Sequence, residues 1–312
     1  MSKVNLASSP VLLHVGLHKC GSTWLQQYMF DNSQLGFVSP WGRLAAIAVT
    51  EFVTADPIAF DAKAARRNLE RAASPGAEGA RMLVLSHEAL SSRPQQGQYY
   101  APYVADRLRQ TFGDARLLLI FREQKALIGS LYGEYLRNGG QYTLREFIGT
   151  RSDPPGFTGL CRLQFFEFDR LVGMYQEKFG RERVLALPLE LLARQPNAFV
   201  DRICHFAGVE PGQLPTGEKA NPGWGPVTCE VLRHSNAFIR GDALRPRKGL
   251  VFSARRRALE TLDRTLGRRI QSGMTRRMRT HISQRVGDHF RMSNRRLSEL
   301  LSLDLKGLDY DC

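Results

Sequence analysis

Residues 12 to 25, Leu12-Leu13-His14-Val15-Gly16-Leu17-His18-Lys19-Cys20-Gly21-Ser22-Thr23-Trp24-Leu25, constrain what this chain can fold into, because an apolar run passes through a glycine-punctuated loop into a helix. Residues 11 to 17 are rich in Val and Leu and read as a short buried strand of a parallel sheet. From Ser22 onward, Trp24, Leu25, Tyr28 and Met29 fall on one helical face. Strand, tight loop and helix N-terminus together aim backbone N–H groups and the positive end of a helix dipole at one point, which predicts an anion site.

The lysine indicates which anion. A nucleoside-triphosphate P-loop reads GxxxxGK followed by Ser or Thr, with the Lys after the second Gly. Here the Gly16 to Gly21 frame is kept, but Ser22 stands where that Lys belongs and the lysine lies inside the loop, at Lys19. Ser22 and Thr23 supply hydroxyls at the helix start. This suits a single substituted phosphate better than a magnesium-bridged triphosphate.

A second strand–helix unit follows at Ala115-Arg116-Leu117-Leu118-Leu119-Ile120-Phe121-Arg122. The apolar run reads as a buried strand, and Leu127, Ile128, Leu131, Tyr132, Tyr135 and Leu136 keep a helical stripe after it. Arg122 therefore ends a strand and Ser130 lies two turns into a helix. A guanidinium fork and a hydroxyl are suited to hold one phosphate between them.

Together these residues resemble the sulfotransferases that use 3′-phosphoadenosine 5′-phosphosulfate (PAPS). Lys19-Cys20-Gly21-Ser22-Thr23-Trp24 is similar to the Lys-Ser/Thr-Gly-Thr-Thr-Trp segment that holds the 5′ end of the donor, and the preceding His-Val-Gly-Leu-His run is similar to that of bacterial members. Arg122 and Ser130 match the family's 3′-phosphate pair in residue type and spacing. The chain departs from the family in having Glu123-Gln124 after Arg122, and Leu127 where a second Arg is usual. The resemblance covers residues 11 to 210, with a weaker likeness near Asn294. It implies Lys19, Cys20, Gly21, Ser22 and Thr23 on the phosphosulfate, Trp24 against the adenine, and Arg122 with Ser130 on the 3′-phosphate; Trp24 also fits as a plain core residue. Arg247-Lys248-Gly249 echoes a family contact to the 3′-phosphate, but three common residues in a basic tract are better explained by chance.

Sulfuryl transfer implies a cation on the bridging oxygen and a base at the acceptor. Lys19 is the expected cation. Met82-Leu83-Val84-Leu85 forms a strand that delivers His87 and Glu88 to its C-terminal end, where a parallel sheet opens its ligand crevice. Family members place a Glu or a His there, and neighbours at a strand end point opposite ways. Glu88 is the favoured base and His87 the second; each also reads as a turn or capping residue.

The expected architecture is one α/β domain, a three-layer parallel sheet with a P-loop-like nucleotide-binding loop. Residues 1–250 form its core and 251–312 a basic helical C-terminal extension of the same domain. Residues 31 to 80 carry only one legible element, a charged helix from Asp61 to Ala73. Five widely spaced cysteines without a CxxC pair predict a reducing, cytoplasmic setting and no metal site. No stretch approaches the roughly 20 apolar residues of a membrane span. The formal charge of +14 is concentrated in residues 253 to 296. It suggests an anionic glycan or lipid-linked hydroxyl acceptor, or contact with a membrane surface. Two other classes fit less well. A small-molecule P-loop kinase is opposed by the displaced lysine. A nucleic-acid-binding protein is opposed by the lack of aromatics between residues 253 and 289.

Overall fold

The computed structural model describes residues 4–6, 9–74, 81–150, 153, 156, 158–212, 226–238, 257–259, 261, 263, 265 and 268–312. Arg247-Lys248-Gly249 lies outside the described residues. Five strands, β1 (Val11–His14), β2 (Phe37–Val38), β3 (Met82–Ser86), β4 (Arg116–Phe121) and β5 (Val184–Pro188), make one sheet in the order β2-β3-β1-β4-β5. Every pairing is parallel. All four residues of β1 are buried, as a central parallel strand with both faces covered requires.

Helices flank the sheet in a three-layer α/β arrangement: α1 (Ser22–Tyr28), α2 (Ala62–Ala72), α3 (Ala101–Phe112), α4 (Gln124–Arg137), α5 (Leu144–Ile148), α6 (Phe168–Phe179), α7 (Leu189–Arg194), α8 (Pro196–Ala207), α9 (Pro226–Phe238), α10 (Arg268–Val286) and α11 (Arg291–Leu301). Local chemistry fixes several ends. Asp61 caps α2 by accepting from the Lys63 and Ala64 N–H groups, each at 2.9 Å, and Gly208 closes α8 in the left-handed region.

The chain leaves β1 toward β2 and β3 on one side, and β4 and β5 then lie on the other. That reversal is a topological switch point, and the crevice outside the strands' C-terminal ends is where such sheets take ligands. The loop after His14, the pair His87-Glu88, Arg122 and Glu190 all sit on this rim.

The basic region is not the fully solvated helix that its composition suggests. On α10, Ile282 and Val286 are buried, and Gly129 of α4 faces Ile282 and Met278. Four-residue spacing puts these apolar positions on one face, while Arg276, Arg277 and Arg279 remain exposed. The last helix docks on the core, with Leu297 fully buried. Its Asn294 accepts from Gln124 Nε2 at 2.6 Å and donates to the Asp311 carbonyl at 2.9 Å, tying the C-terminal tail to the start of α4.

Candidate active site

Past His14 the backbone keeps its pairing with β4. Val15 donates to Leu118 at 3.1 Å, Leu17 donates to Ile120 at 2.8 Å, and Ile120 donates to Gly16 at 2.8 Å. The chain then turns through Lys19 at φ 63° and Gly21 at φ 81°, the residue that opens α1. Glycine is required twice. A Cβ on Gly16 would lie 2.9 Å from the Glu88 carbonyl oxygen, and one on Gly21 would lie 2.7 Å from Leu189 Cδ1. Both positions also have positive φ, so loop, β3 end and α7 start close together only because these residues lack side chains.

Lys19 is about three-quarters buried, its Nζ 3.9 Å from Glu134 Oε2. Burial pushes its pKa down, and Arg137 and Arg122 add to this while Glu134 opposes them. Both guanidinium groups are thus close enough to act on the Lys19 ammonium. Arg122 is half-buried and makes no hydrogen bond or ion pair among the described residues. Ser130, Glu134 and Arg137 follow at steps of four and three along α4, one stripe of the helix. The Lys19–Glu134 ion pair brings the loop against the helix that carries Ser130, two segments far apart in sequence.

The other loop residues divide by exposure. Ser22 is buried and its Oγ turns back to the Leu17 carbonyl at 3.4 Å, whereas Thr23 is exposed in the first turn of α1. Trp24 is partly buried against the core, its ring 5.8 Å from that of Tyr28. Cys20 is fully buried, its Sγ on the His18 carbonyl at 3.5 Å, and burial pushes its thiol pKa up. Its backbone, not its sulfur, is what the loop has to offer a ligand.

His87 and Glu88 play different local parts. His87 caps the short turn Glu88–Ser91 by accepting the Ala89 N–H on Nδ1 at 3.0 Å, which leaves the proton on Nε2. Burial lowers its pKa, opposed by Glu88. For Glu88, burial alone would raise the pKa, but His18, its own backbone N–H, His87 and His14 outweigh it and hold the carboxyl below its ordinary range.

Three more residues belong to the site. His18 lies with Nδ1 3.8 Å from Glu134 Oε1, and its Nε2 is buried without a partner among the described residues. Burial holds its pKa down, opposed by Glu134 and Glu88. Gln95 points its Nε2 at the same Glu134 oxygen, 3.5 Å away. On the far side, Glu190 accepts the Glu123 N–H at 3.1 Å and the Tyr310 hydroxyl at 2.8 Å, which fixes the backbone just after Arg122. Glu134 lies four residues beyond Ser130, a spacing legible in sequence once Ser130 is chosen; nothing in the sequence pattern marks Gln95.

Beneath the loop, Gln26 Nε2 donates to Ser86 Oγ at 3.0 Å, and the Ser86 hydroxyl shares a hydrogen bond with His14 Nδ1 at 2.7 Å. His14 Nε2 is buried with no partner among the described residues. Burial brings its pKa down to about 4, opposed by Glu88. The unfolded imidazole takes up its second proton near pH 6.5 and the folded one only near pH 4, so the stability is complete above about 6.5 and is lost as pH falls toward 4. The expected loss is about 3 kcal/mol from this group. Urea midpoints measured from pH 7 to 4.5 should drop steeply in wild type and less in His14→Gln; parallel curves would refute the assignment.

Among the described residues, no three His, Cys, Asp or Glu side chains gather as a metal-ligand set. No described helix is long and apolar enough to cross a membrane. No protein-family model matches this chain, and no curated protein matches it. Its fold is similar to that of a sulfotransferase from Alicyclobacillus acidocaldarius, with a TM-score of 0.51 and 20% identity over 75% of this chain and 97% of that one. A sulfotransferase domain from the Synechococcus PCC 7002 olefin synthase also aligns, with a TM-score of 0.35 and 16% identity over 83% of this chain and 96% of that domain. The first likeness shows that the chain has the sulfotransferase fold.

Proposed function

We propose that this chain is a PAPS-dependent sulfotransferase, moving a sulfuryl group to a hydroxyl or amine of a carbohydrate or another glycan- or lipid-linked acceptor. The reading is supported by the rim itself: Leu17 donates to Ile120 at 2.8 Å, which sets the Lys19 loop beside the end of β4 at Arg122, and the Glu88 backbone packs against the same loop at Gly16. The cations Lys19, Arg122 and Arg137 suit a donor that carries both a 3′-phosphate and a phosphosulfate.

In this reading Arg122 and Ser130 hold the 3′-phosphate, with Arg137 adding charge. Lys19, the amides of Cys20 and Gly21, and the Ser22 and Thr23 hydroxyls serve the 5′ end, and Trp24 borders the adenine. The acceptor oxygen loses its proton to Glu88 as it bonds to sulfur. The bond between sulfur and the bridging oxygen breaks, and 3′,5′-adenosine bisphosphate departs with its new charge against Lys19. His87 is the second choice of base. No metal is needed for these steps. Five widely spaced cysteines without a CxxC pair fit a cytoplasmic setting. Exposed Arg276, Arg277 and Arg279 on α10 suit an anionic acceptor or membrane surface, and no part of the reading calls for nucleic acid.

Calorimetric titration without magnesium tests the donor. Adenosine 3′,5′-bisphosphate is expected to bind at the micromolar level and 5′-AMP far more weakly. Arg122→Ala is expected to weaken the bisphosphate by about 10- to 100-fold, the scale of lost charge-assisted bonds, and to leave AMP unchanged. Tighter binding of magnesium-ATP than of the bisphosphate would overturn the reading in favour of a kinase.

A further inference from the structure

Glu134 is out of place in a site built for a polyanion. Its Oε2 lies 3.9 Å from the Lys19 ammonium, and its Oε1 lies 3.8 Å from His18 Nδ1 and 3.5 Å from Gln95 Nε2. One carboxylate thus orders three side chains from two separate loops. It also fixes their chemistry. A carboxylate turns the amide nitrogen of Gln95 and the protonated nitrogen of His18 toward itself. The atoms left over, Gln95 Oε1 and His18 Nε2, are both buried and both without partners among the described residues. Among the described residues, neither Arg122 nor Ser130 makes a side-chain hydrogen bond or ion pair with Glu134, whose carboxylate faces the cation expected to meet the leaving group.

We propose that Glu134 is a positioning residue of the donor site, an inference that rests on the PAPS reading. With no nucleotide bound, it holds Lys19 beside His18 and Gln95. When the donor binds, Lys19 turns from the carboxylate to the phosphosulfate, so the site binds the donor less tightly than Lys19, Arg122 and Arg137 would alone. The negative charge keeps Lys19 in place and limits retention of the spent bisphosphate, whose departure must precede the next turnover.

The test is calorimetric titration of adenosine 3′,5′-bisphosphate into wild type, Glu134→Gln, Glu134→Asp, Lys19→Met and the Lys19→Met/Glu134→Gln double variant, with thermal midpoints recorded alongside. Glu134→Gln is expected to bind about fivefold more tightly at low salt, the scale of one partly exposed ion pair, and the gain is expected to shrink as salt is raised. Glu134→Asp keeps the charge and stays within twofold of wild type. In the Lys19→Met background the gain disappears. Transfer assays should show a lower KM for PAPS in Glu134→Gln together with a lower kcat, a split that loss of structure does not produce. Wild-type binding with equal or weaker binding by Glu134→Gln overturns this inference alone, as does Glu134→Asp behaving like Glu134→Gln. If wild type binds no bisphosphate, the PAPS reading itself falls.

Discussion

Lys19→Met is expected to slow release of labelled sulfate from PAPS to water by about 10²- to 10³-fold, the scale seen when one group that stabilises developing charge is removed. Water serves as acceptor here, so the test needs no knowledge of the natural one. The lysine is the only Lys or Arg between Gly16 and Gly21, and its backbone sits at φ 63°. Burial and two nearby guanidinium groups already lower its proton affinity, so it meets the leaving oxygen as a poorly solvated charge and not as a hydrated surface ammonium. Its one ion pair among the described residues, with Glu134, is partly exposed, so the fold is expected to lose no more than about 1 kcal/mol. An unchanged thermal midpoint with a collapsed rate separates chemistry from folding. A variant rate within threefold of wild type would remove Lys19 from the mechanism.

The parts of this site that could be read in the sequence are those held by one short segment each. The run ending at Gly21, the strand before Arg122 and the strand before His87 each carry their own apolar pattern, and each lies in the sheet where that pattern puts it. β2 is two residues long and sits at the sheet edge, too short for any periodicity to show. The seating of α10 was hidden for a different reason. Met278, Ile282 and Val286 keep four-residue spacing, but the arginines between them dominate the composition. Glu134 and Gln95 join the site through tertiary packing of α4 and the 89 to 100 loop, a convergence between segments 39 positions apart that no local pattern encodes. His87 is legible in sequence as both a base and a turn residue, and in the structure its Nδ1 accepts the Ala89 N–H.

That engagement separates the two neighbours at the end of β3. Glu88→Gln is expected to lower kcat by about 10²- to 10³-fold, within the range for a positioned general base. His87→Asn, which keeps a side-chain acceptor for the Ala89 N–H, is expected to stay within about fivefold of wild type. The pH profile gives an independent sign. A base works in its deprotonated form, and Glu88 is held below the ordinary carboxylate range, so kcat/KM should stay flat from pH 8 down to about 5. An imidazole base would instead produce a limb at its own pKa, which Glu88→Gln would move and not abolish. Loss of His14-linked stability begins near pH 6.5, so rates below that pH need a parallel check that the protein is folded. If His87→Asn abolishes turnover and Glu88→Gln spares it, the proton goes to the imidazole, and Glu88 is left as the carboxylate that raises the basicity of its neighbour.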